Sequence, residues 1–268
     1  MSRSRVAVVA LIVGLLLTSG SANATRPVRL TAGFDPGARL GGASALNVEL
    51  HVDARRRLSS PVTQVVVWFP RGLGLVSSGL GLATCRRPAS EFAAVLVDGN
   101  PAGLAGCSPN AVMGYGSAIA DVRLTDGQVI PETATLTILA GPVVDGRIGL
   151  VVFVDGQHPF AARLVYAGEL RAGRGRFGGA IAFDVPAIPS IADLATVALT
   201  DLRLEIGSRK IRYYAHPASR IGPYHPDGIE LPPSCPSRGL RFRVNLAFQN
   251  GTRATAGAAA RCPRSRRR

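Results

Sequence analysis

Thr133-Ala-Thr-Leu-Thr-Ile-Leu139, Arg147-Ile-Gly-Leu-Val-Val-Phe-Val154, Phe160-Ala-Ala-Arg-Leu-Val-Tyr166 and Gly178-Gly-Ala-Ile-Ala-Phe-Asp-Val185 follow one another with turn residues between them. Each run is short and rich in the β-branched and aromatic side chains that suit a pleated surface. Four such runs in succession read as a meander of antiparallel strands. A meander hides one face only against a second layer, so the flanking segments must supply that layer.

The flanks carry the same signal. Leu46, Val48, Leu50 and Val52 alternate with Asn47, Glu49 and His51, the period of a strand with one wet face. Residues 62–69 form another run, ended by Pro70, which cannot donate to a ladder. In residues 112–124, Gly114 and Gly116 permit close backbone approach or a bulge. A loop around Pro186 and Pro189 precedes a strand at 196–206, and residues 240–248 and 252–259 make a closing hairpin. Six dipeptides, Asp98-Gly99, Asp126-Gly127, Asp145-Gly146, Asp155-Gly156, Asp227-Gly228 and Asn250-Gly251, favour the positive φ of tight turns. The expected fold is all-β: an antiparallel β-sandwich of sequential hairpins over residues 25–263, in two tightly joined halves of about 25–130 and 131–263. Helical turns are expected to be short, as in the excursion between Cys85 and Cys107.

The amino-terminal 24 residues read as a targeting signal. Arg3 and Arg5 precede an apolar stretch from Val6 to Leu17, and Ala22-Asn-Ala24 offers a cleavage site before Thr25. Twelve residues are too few for the hydrocarbon core, which needs about 20, and no later apolar run is long enough. The expectation is a chain cleaved after Ala24, without a transmembrane segment, secreted or associated with the cell envelope.

Charge is gathered at one end. The whole chain carries +14, yet after Glu230 no acid appears while nine arginines do: Arg238, Arg241, Arg243, Arg253, Arg261, Arg264, Arg266, Arg267 and Arg268. Residues 264–268 form a basic tail. Such a patch can hold anionic polymers or surfaces. The four cysteines of an exported chain imply two disulfides. Three pairings exist, and the local ones, Cys85 with Cys107 and Cys235 with Cys262, each close a single loop, worth about 3.5 kcal/mol in the loop-entropy account. No C-x-x-C spacing supports a zinc site.

Gly79-Leu-Gly-Leu-Ala-Thr-Cys85, Cys107 with Gly114-Tyr-Gly-Ser-Ala118, Phe183-Asp-Val-Pro186 and the hairpin from Cys235 through Asn250-Gly251 to Cys262 resemble the turns, prolines and cysteines of an uncharacterised family of secreted actinobacterial β proteins. The resemblance covers nearly the whole mature chain and implies a shared fold and cysteine pairing. It implies no catalytic residue and no ligand.

Residues with catalytic chemistry are sparse. Gly173-Arg-Gly-Arg-Phe-Gly178 fits the letter of G-x-G-x-x-G, but a strand follows it where a nucleotide site needs a helix, so it reads as a basic hairpin loop. No G-x-S-x-G elbow is present. His51 sits on a polar strand face and His158 in a turn. His216 and His225 share one Pro-rich loop with Asp227, which points to a metal-assisted or hydrolytic alternative acting on polysaccharide or ester. Glu169, Asp184, Asp201 and Glu205 are the carboxylates on or near strands. The arginine-rich strand lacks interleaved aromatics for base stacking, so no specific nucleic-acid recognition is expected. The leading expectation is a non-enzymatic binding protein without cofactor or metal, whose Arg241, Arg243, Arg264, Arg266, Arg267 and Arg268 meet an anionic cell-envelope polymer. A carrier of an apolar ligand is a further alternative.

Overall fold

The computed structural model describes residues 27–53, 60–75, 78–86, 107–158, 162–185, 195–215 and 222–265. The fold is all-β and antiparallel. Among the described residues the helical content is a 3-10 turn at Pro109–Ala111, capped by the Ser108 side chain. Among the described residues one sheet of eleven strands runs in the order β1 (Val28–Phe34), β3 (Leu46–Val52), β10 (Ala195–Ile206), β5 (Val112–Leu124), β6 (Val129–Val144), β7 (Arg147–His158), β8 (Ala162–Ala172), β9 (Phe177–Asp184), β4 (Val62–Pro70), β12 (Leu240–Phe248) and β13 (Arg253–Ala260). A separate pair joins β2 (Ala43–Ser44) to β11 (Ile229–Glu230).

Strands β6 to β9 are the expected meander, and β5 pairs ahead of them with β6. Asp145 and Gly146, at φ 52° and 72°, make the two-residue turn from β6 to β7. Gly251, at φ 79°, closes the last hairpin, where Phe248 N donates to Thr252 O at 3.0 Å. Asp155-Gly156 is not a turn. Gly156 pairs with Ala134 and Ala162 beside a register shift, so β7 runs on through His158, which lies in a strand instead of a turn. A glycine that weakens a strand marks a bulge as readily as a turn.

The expected all-β antiparallel fold takes the form of one large sheet, rolled until its edges β1 and β13 lie side by side, beside the small β2–β11 pair. A right-handed twist accumulated over eleven strands curls a sheet, and rolling hides two edges that would otherwise recruit other chains. Adjacent strands alternate in direction, so an odd number leaves β1 and β13 running the same way. Among the described residues they share no ladder. The segments beyond them are joined by a parallel bridge, with Leu40 N donating to Arg264 O at 2.9 Å and Arg264 N to Ala38 O at 3.1 Å.

Alternation fills the interior. On β12, Leu240, Phe242, Val244, Leu246 and Phe248 are 1–3% exposed, and each stabilises the fold by about 1.5–3 kcal/mol through burial. At the end of the roll where β1 stops and β5 begins, the loops form a plug. Tyr213 is fully buried there, its hydroxyl donating to Val112 O and accepting from Gly81 N, both at 2.7 Å. Cys85 N donates to Ala140 O at 2.9 Å, and Cys85 is bonded to Cys107. The second disulfide, Cys235 to Cys262, ties the entry of β12 to the exit of β13. Both pairs match the local pairing expected from the sequence. Among the described residues no helix is long and apolar enough to cross a membrane.

Candidate functional site

The alternation that buries one side of β12 turns Arg241, Arg243 and Asn245 outward. Across the ladder they face Ala259, Gly257 and Thr255 of β13, so at Arg241 and Arg243 a long side chain stands opposite a small residue. The result is an open groove of about 530 Å³, walled by Arg241 and Arg243 and floored by β13. Its far wall comes from the turn before β9. There Gly173 N donates to Gly178 O at 3.1 Å, and Gly175, at φ 60°, lets the chain reverse, bringing Arg176 and Phe177 to the groove.

Phe177 organises the charge. The Arg176 guanidinium lies 5.4 Å from its ring centre and that of Arg243 lies 5.2 Å away, both in cation–π range. Trp68 of β4 packs against the same ring at 5.8 Å, tilted by 44°. With its amide oxygen turned to the indole, Asn245 accepts from Trp68 Nε1 at 3.1 Å and donates to Thr255 Oγ1 at 3.2 Å. Some arginines elsewhere are paired with carboxylates: Arg163 meets Asp155 at 3.1 Å, and Arg147 and Arg171 both bind Glu169. Those hydrogen bonds hold the Glu169 carboxyl below the usual carboxylate range. Arg176, Arg241 and Arg243 pair with no carboxylate among the described residues. Three guanidiniums around one groove therefore keep donors available for an anion.

A second groove, of about 580 Å³, follows the seam between β1 and β13, with Arg261 and Arg264 on its rim and Gly33 in its wall. Arg264 thus lies apart from Arg241 and Arg243. Asp35 also borders this groove, 3.8 Å from Arg209. Arg266, Arg267 and Arg268 lie outside the described residues.

Two residues of the hydrolytic alternative, His225 and Asp227, are among the described residues. His225 donates from Nδ1 to Ile211 O at 2.8 Å, and Asp227 is exposed. His216 lies outside the described residues. His51 Nδ1 meets Asp201 Oδ1 at 2.9 Å across β3 and β10, a pair 150 residues apart that spacing could not reveal. Asp184 accepts from Gln64 and Glu169 binds arginines, so the strand carboxylates are dispersed among separate partners. Among the described residues no three His, Cys, Asp or Glu side chains are placed to hold a metal ion.

Reading along the chain also missed the aromatics beside the arginines. Trp68 and Phe177 come from β4 and from the start of β9, brought to β12 by pairing of strands distant in sequence. Phe177 is 8% exposed and already covered by guanidiniums, so it positions charge and offers no stacking face. No family model, no curated protein and no solved structure matches this chain, and the resemblance of its turns and cysteines therefore assigns it to no family.

Proposed function

We propose that this is a secreted, non-enzymatic binding protein of the cell envelope or extracellular space, which holds an anionic polymer against the outer face of β12 and β13. The observation that carries the reading is the groove in which Arg176, Arg241 and Arg243 stand without a carboxylate partner among the described residues. The absence of acids after Glu230 supports it, because nothing in that stretch offsets the attraction. The two disulfides and the signal-like amino terminus support an oxidising destination outside the cytoplasm. The carboxy-terminal arginines, Arg264 and Arg266 to Arg268, add longer-range attraction that salt screens.

Charge-assisted hydrogen bonds set the size of the effect. Each is worth about 1.5–3 kcal/mol, so Arg241→Ala with Arg243→Ala should weaken binding to heparin or long-chain polyphosphate by at least about tenfold and flatten its salt dependence. Retention on a polyanionic resin at moderate salt is the readout. Unchanged retention after the double substitution and deletion of residues 264–268 would refute the proposal.

A further inference from the structure

Two glycines in this sheet have no packing reason to be glycine. At most other strand positions a β-carbon would collide: 2.4 Å from Arg203 O at Gly116, 2.2 Å from the Phe69 ring at Gly179, and 2.4 Å from the Phe183 ring at Gly168. Among the described residues it would meet one atom at Gly257, Phe242 O, at an ordinary 3.6 Å, and nothing within 4 Å at Gly33. Neither has the positive φ that demands glycine. Glycine weakens a strand, so each position forgoes stability that a side chain would supply. Both glycines lie on the outer face, Gly257 beside Arg243 in the first groove and Gly33 in the seam groove. The two grooves meet at Ala258 and Ala259, which border both.

We propose that the grooves form one path: an extended polyanion lies across β13, with one anionic group at Arg241 and Arg243 and another at Arg261 and Arg264. Small residues beneath it let the chain lie close to the sheet. This rests on the anion-binding reading above and adds to it the shape of the ligand, a chain and not an isolated ion. Arg241 and Arg243 stand on β12, whereas Arg261 and Arg264 follow β13 and border the seam groove, so a short anion reaches one cluster and a long chain both. Asp35, on the seam groove, faces Arg209 and so opposes the polymer less than a lone carboxylate would. Engaging two clusters on one chain multiplies affinity without new chemistry.

Tripolyphosphate and long-chain polyphosphate, titrated calorimetrically at one ionic strength, separate the two ideas. Arg261→Ala with Arg264→Ala should weaken the long chain about tenfold and tripolyphosphate far less, and Gly33→Val should act likewise. Gly257→Val should weaken both probes, with far-UV circular dichroism confirming the fold. If the Arg261 and Arg264 substitutions weaken both probes equally, or neither, the continuous path is wrong while anion binding at Arg241 and Arg243 stands. If wild-type protein binds neither probe, both readings fall.

Discussion

Tyr166 shows what the rolled sheet does to a single side chain. It pairs with Val152 across β7 and β8 and packs against the core, and burial pushes its phenol up to about 12. The unfolded chain releases that proton near pH 10, so between about pH 10 and pH 12 the folded state holds a proton that the unfolded state has lost. Stability is complete below the lower value and declines as pH rises through the upper one, by on the order of 2 kcal/mol. Urea unfolding of wild type and Tyr166→Phe across the alkaline range should show the steeper loss in wild type, and superimposable pH profiles would contradict it. The burial behind this shift could not be read from the sequence, since Tyr166 ends a run whose inward parity depends on the register of β7.

Between elements, contact is set by what is missing from β5. Gly114 and Gly116 let β10 approach, and a β-carbon at Gly116 would stand 2.4 Å from Arg203 O and 2.8 Å from the Leu204 side chain. Gly116→Ala should therefore cost about 1–3 kcal/mol, measured as a lower urea midpoint with an unchanged slope. That close approach was legible from the two glycines alone. So were β3 and β12, whose strict alternation leaves little choice of inner face, and the turn at Asp145-Gly146. The composition of Asp155-Gly156 was equally visible, but a bulge and a turn ask for the same residues. Only the strand pairing tells them apart. The groove was legible by half: Arg241 and Arg243 stand out on β12, whereas Trp68 and Phe177 arrive through β4 and β9, which local pattern cannot place beside it.

For the molecule as a whole, the seam is the place where order is least secured by ladders. The edges β1 and β13 are kept together by side-chain packing, the Arg39 and Arg264 bridge and the nearby Cys235–Cys262 bond. Cys235→Ser with Cys262→Ser should lower stability by about 3.5 kcal/mol in the loop-entropy account. Amide exchange should quicken first in β1 and β13, before the meander of β6 to β9. Uniform acceleration across the sheet would mean that the disulfide steadies the whole roll and not its joint. The odd strand count has one more implication, for engineering. Neighbours that run the same way cannot be joined by a hairpin, so a circular permutant linking β13 back to β1 would need a crossover traversing the length of the barrel, a dozen residues or more, laid over the arginines of the seam.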